Sequence, residues 1–412
     1  MASSNYPLEG IRVVDLTSAM AGPFATMVLA DLGADVVKVE PPSGDHARDW
    51  GPPFYADKYS AYFASVNRGK KSVVIDLKSD EGREILYKLV STSHVFVESF
   101  RPGVTARLKI DYDTLSHINP KIIYCSISGY GQYGPYKDLP GYDLIALAMS
   151  GLMDLTGEPD RPPVKFGVPI ADIITGMYAV IAILSALRLG IGTHIDLSLL
   201  DSSISILTHQ AGYYFALGKD PQRMGSAHPN IVPYQAFKAR DGYFIVAVGN
   251  DSIWKDFCLC IGMPELIDNP KFSTNYERVR HREELSKLLE EVFAKEDVNY
   301  WITKLRSAGI PAAPVNKVSQ ALNDPHTMVR EMVKEVRHEV LGTIKVISSP
   351  IKFLRGDIKV GRYEPPPRLG EHTIAVLEEL GYTYDEVKNL IAKKVVYTPD
   401  MITQRPSVNT SL

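Results

Sequence analysis

Gly10-Ile11-Arg12-Val13-Val14-Asp15-Leu16-Thr17, followed by Ala21-Gly22-Pro23 and then Ala34-Asp35-Val36-Val37-Lys38-Val39-Glu40, reads as strand, small-residue turn, helix and strand. A βαβ opening of this kind sets its first turn at the carboxyl end of a parallel sheet, where nucleotides bind. The turn lacks Gly-x-Gly-x-x-Gly, and Pro23 falls where the helix begins. Proline is tolerated there because the first helical N–H groups have no intrahelical partner. The unit is Rossmann-like without the NAD fingerprint, and it points to a different nucleotide-bearing ligand.

Outward from that opening, short β-branched runs alternate with helical patterns to about residue 200. Strands are predicted at Arg12–Asp15, Val36–Val39, Ser72–Leu77, Val95–Glu98, Ile122–Ser126 and His194–Leu197. Between them lie helices such as Asp80–Val90, with Ser79 as its N-cap. Interleaved strands and helices indicate a parallel sheet covered on both faces. A helix from Asp201 to about Leu217 follows the last of these strands.

The Gly-, His- and Pro-bearing stretch Pro221–Pro233 reads as a linker. After it, Gly242–Val248 alternates as a strand. Leu285, Leu288, Leu289, Val292 and Phe293 then mark one face of an amphipathic helix, and Tyr300–Ala308 forms another. The expected organisation is α/β. Residues 1–220 form the first part of a large Rossmann-like domain with a parallel sheet, and 228–330 form a smaller α+β domain. Residues 331–397 return to pack on the large domain, and 398–412 form a disordered tail.

The chain has 412 residues, 45% hydrophobic and 23% charged, with a formal net charge of −3. That balance gives no support for nucleic acid or an anionic membrane as partner. Met1–Tyr6 carries no signal-peptide core, and the apolar stretch Ile173–Leu187 is read as too short to span a bilayer. The three cysteines, Cys125, Cys258 and Cys260, show no Cys-x-x-Cys spacing. A reducing, cytoplasmic setting without structural zinc is the expectation.

No Gly-x-Ser-x-Gly elbow, His-Glu-x-x-His or complete phosphate loop occurs. The most suggestive acid is Asp172, which an apolar loop (Gly167-Val168-Pro169) delivers to the first turn of a hydrophobic helix. An Asp at a helix start most often serves as an N-cap. The other reading is a carboxylate nucleophile held near helix N-terminal amides in a dry pocket. Ser128-Gly129-Tyr130-Gly131 follows a strand and leads to Gly141-Tyr142-Asp143 at the ligand-binding edge. Arg101 and Arg107, together with Arg68, Lys70, Lys71 and Lys78, recur at loops beside one sheet, which suits a polyphosphate ligand. His228-Pro229-Asn230 stands alone in the linker, where a histidine is more often packed than catalytic.

Taken in order, these pieces resemble the class III CoA-transferase family, which contains formyl-CoA transferase, carnitine CoA-transferases and α-methylacyl-CoA racemase. The matching stretches are Pro7–Leu16, Ala21–Pro23, Leu32–Glu40, Gly44-Asp45, Asn67–Ser72, Val97–Gly103, Ser128–Gly131 and Leu369–Thr373. The resemblance implies a nucleophilic aspartate at Asp172. It also implies CoA contacts from Met20 and Ala21, from Ile75, Asp76, Leu77 and Lys78, from Ser99, Phe100 and Arg101, and from Arg107, Tyr142 and Asp143. Coenzyme A is then substrate and product, with no metal or prosthetic group, and two subunits thread through each other as an interlocked homodimer.

Two departures narrow the assignment. Met20 stands where formyl-CoA transferase carries glutamine, and the mobile glycine-rich loop of that enzyme is missing. Tyr142 stands where racemases carry histidine, and a tyrosine of ordinary pKa is a poor base at neutral pH. Met224–His228 and Ile231–Phe237 resemble the branch that uses succinyl-CoA and dicarboxylates, with His228 and Asn230 as the nearest groups to read a distal carboxylate. The alternatives are an acyl-CoA racemase of the same family and a non-catalytic CoA-binding protein.

Overall fold

The structure, a computed structural model, describes residues 5–56 and 59–403. Six strands, Arg12–Leu16 (β1), Asp35–Glu40 (β2), Lys70–Ile75, Val95–Glu98, Ile123–Ser128 and Thr193–Ser198, pair in parallel. Numbered along the chain, their order across the sheet is 3-2-1-4-5-6, the doubly wound order, with its switch point between β1 and Val95–Glu98. A seventh, two-residue strand from the far end of the chain, Val396–Tyr397, pairs antiparallel with Lys70–Ile75 and covers that edge. Because both faces are covered, the strands are apolar almost throughout: Val13, Val14, Val37, Val73, Val74, Phe96 and Val97 are fully buried.

The third strand lies two residues earlier than its periodicity suggests. The Asp76 N–H is taken by the Val395 carbonyl, and the chain then turns through Asp76–Lys78 to Ser79. Ser79 caps the helix Asp80–Ser91 by accepting the Gly82 N–H at 3.0 Å. The helix predicted from Asp201 to Leu217 is broken into Leu199–Ser205 and Thr208–Leu217, with Thr208 in the left-handed region at φ 43°.

The chain divides into two units. The larger comprises Met1–Leu152, Phe166–Thr208 and His326–Leu412, and the smaller Met153–Lys165 and His209–Pro325. The main stretch of the smaller unit thus begins at His209 rather than at 228, and the unit also takes in Met153–Lys165, a segment that sequence reading leaves in the large domain. Arg223 explains this, since its guanidinium donates to the carbonyls of Asp154 and Arg161, and Gly225 N–H reaches Gly157 O at 2.9 Å. Within this unit Tyr234–Lys238, Tyr243–Ala247 and Ala312–Pro314 form an antiparallel sheet. Its core holds Phe237, Phe244, Trp254 and Phe257, with Leu285, Leu289 and Phe293 from the expected amphipathic face.

In the returning segment, Val333–His338 and Gly342–Ile347 form a hairpin that has no counterpart in the sequence reading. Pro399–Thr403 is a short helix where a disordered tail is expected, and residues 404–412 lie outside the described residues.

The helix that carries Asp172 runs Ile170–Leu189, longer at both ends than the apolar stretch Ile173–Leu187. At 20 residues it is long and apolar enough, by length and composition alone, to cross a membrane, which corrects the reading that this stretch is too short. Here it packs along the helix Ala21–Asp31 (α1) with Thr175, Gly176, Ala179 and Ile183 buried. Gly176 permits that approach: a Cβ there would lie 2.7 Å from the Ala21 carbonyl oxygen and 3.0 Å from the Phe24 ring.

Candidate active site

The site is built at the carboxyl end of β1, where the chain must turn sharply into α1. Gly22 is required by that turn, because a Cβ at this position would sit 2.3 Å from the Thr17 side chain. Ala19 adopts φ 67°, a left-handed conformation that costs an alanine energy and persists only when its surroundings hold it. Buried charges do the holding. Lys38 Nζ donates to Thr17 O at 2.7 Å and pairs with Asp45 Oδ2 at 2.9 Å, while Asp45 Oδ1 accepts from Ala19 N and Ala47 N. Behind them Asp15 takes Lys70 Nζ at 3.0 Å together with the hydroxyls of Thr17 and Thr26. Glu40 takes the Arg48 guanidinium through both oxygens and the Ser72 hydroxyl. Arg48 also donates to Pro367 O, and Gly370 N–H donates to Ser72 Oγ, so the returning segment braces the same wall.

Across the switch point the Val95–Glu98 strand supplies the facing loop. Ser99 Oγ accepts from Ser18 N at 3.0 Å, and Glu98 folds the loop back by accepting Phe100 N at 2.7 Å. Burial pushes the Glu98 carboxyl up to about 7. Between the two turns lies a cavity of about 550 Å³ whose walls include Thr17, Ser18, Asp45, His46, Ile75, Asp76, Leu77, Lys78, Phe100 and Leu108. Arg107 precedes Leu108 in the short helix Val104–Leu108, exposed to solvent, as is Arg101. Neither they nor Lys78 form an ion pair among the described residues. Arg68, Lys70 and Lys71 do: Arg68 grips Asp31, Lys70 grips Asp15, and Lys71 reaches Asp35 and Glu379. Those three are structural cations rather than polyphosphate ligands, because internal carboxylates already occupy them.

Asp172 is the third residue of its helix and does not cap it. The N-cap position is Pro169, which has no side-chain acceptor. Asp143, at the start of the helix Asp143–Met149, supplies the cap instead: its Oδ1 accepts the Ala171 N–H at 2.8 Å. The N–H groups of Ile170 and Ile173 are taken by Val168 O and Pro169 O. The helix start is therefore largely saturated, and Asp172 is free for other work. Burial and the nearby Asp143 carboxylate push Asp172 up to about 7. A carboxylate so disfavoured as an anion is a stronger nucleophile when ionised.

Tyr62 stands beside both acids and carries no signal in the sequence. It lies on the short helix Ala61–Val66, packs against Met20 and Met27, and meets Trp50 edge-on at 4.9 Å. Burial, with Asp172 and Asp143 next, raises its hydroxyl to about 12, so it remains a hydrogen-bond donor at neutral pH. Its spacing on the helix is that of a core aromatic, which conceals it. Met20 and Ala21 are buried at the start of α1, and the Tyr142 ring is 66% exposed.

His228 and Asn230 belong to the smaller unit. There the His228 ring accepts the Asn230 N–H, stacks on His209 with centroids 6.2 Å apart, and lies beside Tyr234. Arg282 donates to the carbonyls of His228 and Pro229. Burial, His209 and Arg282 together lower the His228 imidazole pKa.

Comparison with known proteins gives a consistent result. The sequence model of CoA-transferase family III matches residues 8–373. The succinyl-CoA:glutarate CoA-transferase of Homo sapiens is 42% identical over 396 residues, covering 95% of this chain and 90% of the relative. The succinate–glutarate CoA-transferase of Agrobacterium fabrum is 41% identical, covering 92% of this chain and 97% of the relative. A crystal structure of a CAIB/BAIF family protein from Brucella suis superposes with a TM-score of 0.82 at 44% identity, covering 91% of this chain and all of that one.

Proposed function

The chain belongs to CoA-transferase family III, and we propose that it moves CoA from succinyl-CoA, or a similar dicarboxylyl-CoA, to a dicarboxylic acid. The observation that carries this reading is Asp172, a half-buried carboxylate raised to about 7 at a helix start that another residue caps. In the proposed mechanism an oxygen of ionised Asp172 attacks the thioester carbonyl carbon. A C–O bond forms, the C–S bond breaks, and the electron pair leaves on the CoA sulfur. The thiolate then attacks the aspartyl carbonyl carbon of the mixed anhydride, releasing the first acid as carboxylate and leaving an enzyme–CoA thioester. The acceptor carboxylate attacks the same carbon and regenerates an anhydride and thiolate. Attack of that thiolate on the acceptor's acyl carbon yields the new acyl-CoA and free Asp172. No net proton is consumed, and donors such as the neutral Tyr62 hydroxyl suit the developing oxyanions.

The cavity at the switch point is the proposed seat of CoA, with Met20, Ala21, Ile75–Lys78, Ser99–Arg101, Arg107, Tyr142 and Asp143 around the bound substrate. Lys78 and Arg107 are assigned to its phosphates, since they form no ion pair among the described residues. Arg107→Ala is expected to raise KM for the acyl-CoA roughly tenfold or more with kcat little changed, the signature of a charge-assisted contact made equally in ground and transition states. Steady-state kinetics check this, and a lowered kcat at unchanged KM counts against it.

The exposed apolar side chains Met177, Ile181 and Leu189, on the Asp172 helix, and Leu144, Ile145 and Met149 suit cover by a second subunit in a homodimer. The acceptor is read as a C4–C5 dicarboxylate. A site built for a polar group rejects analogues that lack it, so glutarate or succinate should outpace butyrate by roughly a hundredfold or more. The test is an assay of succinyl-CoA against mono- and dicarboxylates. Equal rates with butyrate and succinate point to a monocarboxylate transferase instead.

A further inference from the structure

We propose that Asp45 is a positioning residue for CoA and acts through Ala19, whose backbone it holds in the conformation that shapes one wall of the cavity. The inference rests on the reading above, in which CoA occupies the cavity at the switch point.

The turn from β1 into α1 takes its shape from side chains. Thr17 N–H donates to Asp15 Oδ1 at 2.9 Å, Ser18 N–H to Ser99 Oγ at 3.0 Å and Ala19 N–H to Asp45 Oδ1 at 3.2 Å. Three consecutive amides are thus satisfied by side chains, where a helix or a strand would pair them with carbonyls. Ser18 lines the cavity, and Met20 and Ala21 are buried where α1 begins. Between them Ala19 sits at φ 67°. In that region the Cβ of an L-residue crowds the following carbonyl oxygen, which disfavours it by roughly five- to thirtyfold. Glycine carries no such penalty. An alanine stays there while its N–H is held, and the group that holds it is a side chain only 1% exposed.

Asp45 divides its two oxygens between separate tasks. Oδ1 accepts from Ala19 N and, at 2.9 Å, from Ala47 N in its own loop, while Oδ2 faces the Lys38 ammonium at 2.9 Å. All three partners are donors. A carboxylate only accepts and satisfies them together, whereas an amide must turn its NH2 group either on the lysine or on the two N–H groups. Asparagine therefore cannot replace it. The loop that carries Asp45 is itself anchored, since Asp45 N–H donates to Glu40 Oε2 at 3.0 Å, and its Gly44 and His46 line the cavity beside Thr17 and Ser18. One carboxylate thus ties the wall that follows β2 to the wall that follows β1. Without it Ala19 is free to leave the left-handed region. The turn that fits CoA then becomes a minor state, and affinity falls with its population.

A double-mutant cycle tests this, with Kd for CoA read by calorimetry and steady-state kinetics read with succinyl-CoA. Asp45→Asn should raise Kd about tenfold while Ala19 is in place, because nothing then offsets the penalty of a left-handed alanine. In an Ala19→Gly background the same substitution should cost no more than about threefold, since glycine populates that region about as readily as the right-handed one. The loss should appear in KM for the acyl-CoA, with kcat kept within about threefold. Melting temperature should fall in both backgrounds, because Lys38 loses its partner in each. Binding is rescued and stability is not. Should Asp45→Asn fail to fold, Ala19→Val carries the test: Asp45 remains, but a β-branched residue is harder still to hold at positive φ, and Kd should rise by about tenfold or more. Equal losses from Asp45→Asn in the two backgrounds, or wild-type affinity in Asp45→Asn or in Ala19→Val, overturn the inference alone. A wild-type protein that binds no CoA overturns the reading on which it rests.

Discussion

Asp172→Asn is expected to lower CoA transfer by roughly four to six orders of magnitude, the loss typical of removing a group on which every covalent step depends. The amide is nearly isosteric, but it cannot form the anhydride, and no neighbouring acid takes its place, since Asp143 is committed to Ala171 N–H. The fold should survive, because Asp172 caps nothing and the helix is held by its packing on α1. Stability should in fact rise. Asp172 has a folded pKa raised to about 7 from an ordinary value of 3.8, so its contribution is fully present below about 4 and is lost as pH climbs through 7. Asparagine escapes that loss, and the variant should melt higher than wild type at pH 8 but not at pH 4. Turnover assays and thermal melts at the two pH values check this. Near-normal turnover removes Asp172 from the mechanism, and a lower melting point at both pH values makes the residue structural.

Asp15→Asn is expected to destabilise the protein by about 3–5 kcal/mol, the usual loss when one partner of a buried pair is removed. Burial alone would raise the Asp15 carboxyl, yet the Lys70 and Lys38 ammonium groups outweigh it and hold Asp15 well below the usual carboxylate range. The variant leaves both lysines in place. Burial already pulls Lys70 down to about 8 with Asp15 beside it, so without that counter-charge it must shed its proton near neutral pH. That escape limits the damage. Glu40 belongs to the same assembly: burial opposes its ionisation, but Arg48 prevails and brings it to about 2. Carboxylates lowered in this way stabilise the fold above their unfolded values and cease to do so as pH falls through the folded ones, so the wild type should weaken progressively below about pH 4.5. Urea titrations at pH 7 and pH 3 measure both effects, and a variant within about 0.5 kcal/mol of wild type at pH 7 would show that the pair is not needed.

The parallel sheet was legible because buried strands announce themselves as β-branched runs such as Val36-Val37 and Val73-Val74-Ile75, and the helices between them carry caps like Ser79. Two-residue Val396–Tyr397 has no periodicity to read, and the hairpin Val333–His338 with Gly342–Ile347 is masked by charged residues on its open face. The site was only partly legible. Asp172 stood out as an acid in an apolar run, but its most economical local explanation, an N-cap, was wrong for a reason no local pattern contains: the cap comes from Asp143, 28 positions before the Ala171 N–H that it accepts. Cations near the ligand edge looked alike in one dimension. Only the partners distinguish Lys78 and Arg107 from Arg68, Lys70 and Lys71, which are bound to internal carboxylates. Tyr62 was invisible because helical spacing cannot tell an aromatic that faces an acid from one that faces the core.

The short edge strand has a bearing on how the molecule is made. Val396–Tyr397 closes the outer side of Lys70–Ile75, and Pro367 and Gly370 brace Arg48 and Ser72 behind the cavity. A ribosome delivers these residues after every other strand of that sheet. Until then the third strand offers a naked row of peptide groups, a template on which another nascent chain can pair. The smaller unit, drawn chiefly from the continuous stretch His209–Pro325, can condense meanwhile from contacts of short sequence range. The larger one must wait for the segment from His326 onward, which follows that whole stretch in the chain. A chain synthesised only as far as Pro325 therefore lacks the residues that brace this wall of the cavity.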